Sequence, residues 1–138
     1  MIDNGAEYAM IDAYAEGFEI MRRSAGEKVP QERRYTLDRS DIAEVGRRGN
    51  VIGSWLLDLT AMAVAEAPAV TGYSGVVEAF GDGRWTIMAA IEETVPANVL
   101  SAALYVRFRS REKDSLADKL VSGMRHELGG HDEPKGDG

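Results

Sequence analysis

Gly72-Tyr73-Ser74-Gly75-Val76-Val77-Glu78-Ala79-Phe80-Gly81-Asp82-Gly83-Arg84-Trp85-Thr86-Ile87-Met88-Ala89-Ala90-Ile91-Glu92 carries the clearest local pattern in this 138-residue chain. Trp85, Ile87, Ala89 and Ile91 alternate with Arg84, Thr86, Met88 and Glu92, which is the period of a half-buried strand. Gly81-Asp82-Gly83 between two such runs predicts a β-hairpin. Its register decides the fate of Glu78. A two-residue turn at Asp82-Gly83 sets Glu78 opposite Ile87 on the apolar face. A three-residue loop with Gly83 left-handed pairs Val77 with Ile87 instead and sends Glu78 outward beside Thr86. The second register is preferred, because it leaves no unpaired carboxylate in apolar surroundings.

Toward the C-terminus, Thr94-Val95-Pro96 ends that strand. Leu100, Ala102, Leu104, Val106 and Phe108 then alternate with Ser101, Ala103, Tyr105, Arg107 and Arg109, which predicts a third strand. The start of this run, Pro96 to Ala103, also suits a short helix with proline in its first turn. Ser115 and Asp118 have capping-box spacing, and Leu116, Leu120, Val121, Met124 and Leu128 give a closing amphipathic helix stopped by Gly129-Gly130. Residues 131–138 read as a disordered polar tail.

Toward the N-terminus, residues 51–67 are apolar almost all round, with Trp55, Leu56, Leu57, Leu59, Met62 and Val64. That is the pattern of a buried helix, too short and too polar to span a membrane, and Pro68 ends it. Before it, residues 6–25 form an amphipathic helix with Ile11, Tyr14, Ala15, Phe18 and Met21 on one side. Asp38 or Ser40 caps a second helical stretch, which Gly46, Gly49 and Gly53 interrupt. The expected fold is α+β: helix, helix, three antiparallel strands, helix, with the small sheet packed on the buried central helix 51–67, all in one domain over residues 1–130. One sheet cannot cover a helix that is apolar on several sides, so a homodimer is expected.

Cysteine is absent and the net charge is −7. The first excludes a disulfide framework, a thiolate nucleophile and a cysteine-type zinc site, and suits a reducing compartment. The start Met1-Ile2-Asp3-Asn4-Gly5 lacks the basic and apolar regions of a secretory signal, so a cytoplasmic protein without membrane attachment is expected. The negative charge argues against a surface that binds nucleic acid throughout. It is uneven, however: residues 22–48 hold eight bases and five acids.

Four groups of residues could carry function. Arg47-Arg48-Gly49-Asn50 would hold an anion if a helix began near Val51, where free N–H groups and two arginines converge; the competing reading is a glycine-rich helix junction with no ligand. A helix-turn-helix across the same segment fits poorly, since Trp55, Leu56, Leu57 and Asp58 stand where basic and polar residues must meet DNA. Asp58, in the middle of the apolar helix, and Glu78 are possible acids, although Ser54, Asp58, Ala61 and Ala65 also form a plausible solvent-facing stripe. Arg107, Arg109 and Arg111, led by Tyr105, make a basic row at strand spacing, for an anionic ligand or to protect an edge strand. His126 and His131 do not form a metal site, and no cofactor fingerprint or nucleophile with its base is present, so no cofactor is expected. The leading expectation is a small oligomeric protein-interaction or accessory module without catalytic activity. The alternatives are a ligand-binding or enzymatic domain that holds an anionic group at Arg47-Arg48-Gly49, and a nucleic-acid binder.

Overall fold

A computed structural model describes residues 1–129, and among the described residues there is no β-strand. The described residues form six α-helices: α1 (Ile2–Arg23), α2 (Arg39–Arg47), α3 (Trp55–Glu66), α4 (Asp82–Glu92), α5 (Asn98–Ser110) and α6 (Leu116–Gly129). A short 3-10 turn, Gln31–Arg33, lies between α1 and α2. The expected α+β fold, with three antiparallel strands on a helix over 51–67, is therefore overturned, and so is the hairpin. The tail 131–138, with His131, lies outside the described residues.

The reason is visible in α4. Gly83, Thr86, Ile87 and Ala90 stand at i, i+3, i+4 and i+7, and they are the residues this helix turns inward, while Trp85, Met88 and Ile91 are exposed. Apolar residues stand on both sides of this helix, so they satisfy a period of two by accident, whereas the buried face is written in small residues at a period of 3.6. Gly81 takes φ 115°, a backbone conformation open to glycine, and its carbonyl accepts the first helical hydrogen bond from the Trp85 amide. The supposed first strand finds no ladder partner; its Val77 amide donates to Ser110 Oγ at the end of α5. Helix α5 repeats the lesson. Ala103, Leu104 and Arg107 are buried, with Leu100 and Phe108 partly so, again at helical spacing.

Helix α1 is the spine. Its 22 residues reach about 33 Å, long enough to serve two cores. Near its start, Tyr8 packs with Ala103 and Leu104 of α5, joined by Ile87 of α4 and Phe108. Near its end, Phe18 packs on Ala43 of α2 and on Ala61 and Val64 of α3. Asp38 caps α2 by accepting from the Ser40 and Asp41 amides, and Ser54 caps α3 by accepting from the Leu57 amide. The Ser54 hydroxyl also lies 2.9 Å from Tyr14 Oη, and Tyr14 Oη donates to the Ile52 carbonyl, which locks the start of α3 to the middle of α1.

That cap moves the start of the central helix from the expected Val51 to Trp55. It also leaves the helix in one half-core rather than at the centre of two layers: Leu57, Ala61 and Val64 are buried, yet Trp55 is 76% exposed. Helix α6 buries none of its residues, and an ion pair from Arg109 to Asp118 ties it to α5. No helix among the described residues is long and apolar enough to cross a membrane.

Candidate functional site

Where α1, α4 and α5 meet, the fold buries a cation. Arg107 is 8% exposed, and its guanidinium lies 3.6 Å from the centroid of the Tyr8 ring. Nη1 donates to the Glu78 carbonyl at 3.4 Å, and Nε is buried with no hydrogen-bond partner. Helical spacing puts Arg107 there: it follows Ala103 and Leu104 by four and three residues, so the wheel that buries those two buries it as well. Asp12, one turn after Tyr8 on α1, also has a buried oxygen, Oδ2, without a partner. Burial pushes the Asp12 carboxyl above its usual range, the Arg107 charge opposes that shift, and Glu16 adds to it.

Two more arginines flank this point. The Arg84 guanidinium stands 5.0 Å from the centroid of the Phe108 ring, and that of Arg111 stands 5.3 Å from it. Arg111 is paired loosely with the Glu78 carboxylate at 3.7 Å, whereas Arg84 has no ion pair among the described residues. Arg84, Phe108 and Leu104 line a hollow of about 330 Å³. The junction thus offers three guanidiniums with planar, directional donors, two aromatic faces to orient them, and one nearby ion pair. Chemically it suits a carboxylate or a phosphate.

The other expected residues fall elsewhere. Arg47, Arg48, Gly49 and Asn50 do come together at the end of α2, and Asp58 joins them, but the group is closed on itself. Arg47 donates to Glu44 at 2.8 Å and to Asp58 at 3.0 Å, and Arg48 donates to Glu44 at 3.0 Å. These bonds, from Arg47 first and then Arg48, hold the Glu44 carboxyl below its ordinary range, and Arg47's own bonds to Glu44 and Asp58 raise it above its ordinary value. Asn50 uses its Oδ1 on the Ile52 amide, and Gly49 turns with φ 71°. Glu78 lies with Arg111 rather than with this group. The basic row is split by the helix: Arg107 and Arg111 share a side, and Arg109 points away to Asp118.

A larger hollow, about 470 Å³, opens between α1, α3 and residues 68–73. Its walls are apolar and its rim cations are already engaged: Arg39 donates twice to the Pro68 carbonyl, and Arg22 is fork-bonded to Glu19. Hydrogen bonds from Arg22 and Arg23 hold the Glu19 carboxyl at about 2. Tyr8, Asp12 and Arg84 were not singled out from the sequence. The signal that could have found them is the helical period shared by Gly83, Thr86 and Ile87, and by Ala103, Leu104 and Arg107, which sets α4 and α5 against one face of α1.

The family described as 6-phosphogluconate dehydrogenase, C-terminal domain, matches residues 1–133. Among curated relatives, a Bacillus subtilis protein named YqeC is 34% identical over 95% of this chain and 41% of its own length. An NAD(+)-dependent, decarboxylating 6-phosphogluconate dehydrogenase of Haloferax volcanii is 35% identical over 99% of this chain and 43% of its own length. A chloroplastic, decarboxylating 6-phosphogluconate dehydrogenase of Oryza sativa is 30% identical over 83% of this chain and 23% of its own length. The chain therefore spans less than half of each of these relatives. Their character overturns the expectation of an interaction or accessory module without catalytic activity.

Proposed function

The chain belongs to the family of 6-phosphogluconate dehydrogenase C-terminal domains, and on that footing we propose that it is the substrate-holding helical part of a decarboxylating dehydrogenase acting on a phosphorylated sugar acid. One observation carries this reading: a buried guanidinium, Arg107, whose Nε has no hydrogen-bond partner, while Arg84, which has no ion pair among the described residues, stands on the ring of the adjoining Phe108. The substrate in the relatives' names carries a phosphate at one end and a carboxylate at the other. A guanidinium already fixed on the Tyr8 ring loses little freedom when it binds such a group, and its bonds to an anion are charge-assisted. The chain's own residues thus bind and orient; Tyr8 and Phe108 keep water from one side of the arginines.

The Haloferax volcanii relative is named for its use of NAD(+). The described residues do not fit a dinucleotide. They contain no strand from which a glycine-rich turn could lead into a helix, and the start of α3 already spends its Leu57 amide on the Ser54 cap. No step through the nucleotide is therefore assigned to this chain.

Isothermal titration of the purified chain with 6-phosphogluconate, with gluconate as comparison, tests the proposal. Binding of the phosphorylated acid is expected to exceed that of gluconate, and Arg107→Met is expected to weaken it roughly tenfold or more, the worth of one hydrogen bond to a charged group. Equal binding of both acids, or an unaffected Arg107→Met, would sink it.

The same reading includes a homodimer in the cytoplasm. Leu116, Leu120, Val121, Met124 and Leu128 of α6 are all exposed, as is Trp55 of α3, and pairing with a second copy is the commonest way to cover such faces. The lack of cysteine suits a reducing compartment. Sedimentation equilibrium is expected to return twice the 15.0 kDa chain mass; a monomer at every concentration would remove the dimer, and recovery in a membrane fraction would remove the cytoplasm.

A further inference from the structure

Tyr8 and Asp12 are four residues apart on α1, so they share the face that α5 covers. Over Tyr8 lies the Arg107 guanidinium, at 3.6 Å from the ring centroid. Asp12 Oδ2 and Arg107 Nε are the two buried side-chain atoms without a hydrogen-bond partner among the described residues. One is a charged acceptor and the other a charged donor. Each is costly to bury alone, and each is what the other lacks.

We propose that Asp12 is a positioning residue, whose carboxylate is the counter-charge that holds the Arg107 guanidinium flat on Tyr8 across a short gap rather than through a direct hydrogen bond. Tyr8 then fixes the plane, the Glu78 carbonyl takes Nη1 and Asp12 takes the Nε side. Nη2, which makes no hydrogen bond among the described residues, is left as the donor presented to an anion. Only the identity of that anion rests on the function proposed above; the ordering of Arg107 does not.

Burial disfavours the charged Asp12, and Arg107 and Glu16 are the charges that act on it. The sign follows from the raised folded pKa: ionised Asp12 costs stability at neutral pH, and that cost fades as pH falls through the raised value toward the ordinary one. A side chain kept only for stability would not behave so. Replacement by the uncharged isostere therefore separates the two roles.

The test compares the wild-type chain with Asp12→Asn in three measurements: melting temperature at neutral pH, hydrogen exchange of the Arg107 Nε–H by NMR, assigned by its loss in Arg107→Met, and titration with 6-phosphogluconate. Expected for Asp12→Asn are an equal or higher melting temperature, Nε–H exchange faster by about tenfold or more, and affinity lower by a similar factor. Unchanged exchange overturns the proposal, even if 6-phosphogluconate binds both proteins well. Faster exchange with no binding to either protein upholds the positioning role and overturns the substrate reading instead.

Discussion

Leu57→Ala is expected to cost roughly 3–4 kcal/mol of unfolding free energy, within the range measured for buried leucines. Leu57 is 1% exposed and is the one large side chain among the described residues that is fully buried. It fills the crossing of α2 and α3, where the helices can approach because Gly46 has no side chain: a Cβ there would sit 3.2 Å from Leu57 Cδ2. Removing three carbon groups forfeits about 2.4 kcal/mol of transfer free energy at about 0.8 for each. The remainder is the void, which Gly46 opposite has no side chain to fill. Ser54 and Asp38 stiffen both helix starts and so resist collapse. Urea unfolding at constant m-value measures this directly. A loss under about 1 kcal/mol would mean that the α2–α3 pair repacks freely, and that this half of the molecule is not held by the Leu57 contact.

How far the sequence reveals the molecule differs between its halves. The helices α1, α2 and α6 could be read from their amphipathic stripes and from Asp38, because each turns a polar face outward that contrasts with its apolar one. Helices α4 and α5 offer no such contrast. Trp85, Met88 and Ile91 stand exposed on α4, and Tyr105 and Val106 on α5, so apolar residues occur on both sides of each helix and fit a period of two as well as one of 3.6. Apart from Leu104, what is buried is small or polar: Gly83, Thr86, Ala103 and Arg107. Glycine read as a turn and threonine as a strand's polar side, when both mark close contact with α1.

The candidate site was hidden for the same reason. Arg107 was legible as a basic residue, but the expected strand put it on an exposed row with Arg109 and Arg111. Arginine is seldom fully buried without a partner, so nothing in its neighbours along the chain announces that Tyr8, almost a hundred residues earlier, receives it. Asp12 read as part of the polar face of an amphipathic helix, and only the packing of the other helices on α1 makes it a half-buried carboxylate with one buried oxygen. Arg47, Arg48 and Asp58 were legible as a charged group; that Glu44 would neutralise both arginines depends on helical i, i+3 and i, i+4 reach from one acid.

Gly5→Ala is expected to destabilise by about 2–3 kcal/mol, against the usual trend for alanine in a helix. Alanine for glycine inside a helix ordinarily gains up to about 1 kcal/mol. At position 5 the new Cβ would stand 2.6 Å from Thr86 Cγ2, 2.7 Å from Oγ1 and 2.8 Å from Cβ. Thr86 cannot swing aside. It is β-branched and 3% exposed, and its Oγ1 lies 2.9 Å from both the Met1 and the Asp82 carbonyls. The helices α1 and α4 must separate instead, and with α4 moves Arg84, so ligand affinity should fall together with stability. Gly17, on the same helix, supplies the contrast: nothing lies within 4 Å of a Cβ added there, so Gly17→Ala is expected to stabilise by about 0.5–1 kcal/mol. Thr86→Ala removes two of the three collisions and leaves the third, so in the Gly5→Ala background it should recover part of the loss, a non-additivity that denaturation of the four proteins reads out. If Gly5→Ala and Gly17→Ala shift stability in the same direction, the close approach of α1 to α4 is not what holds this junction together.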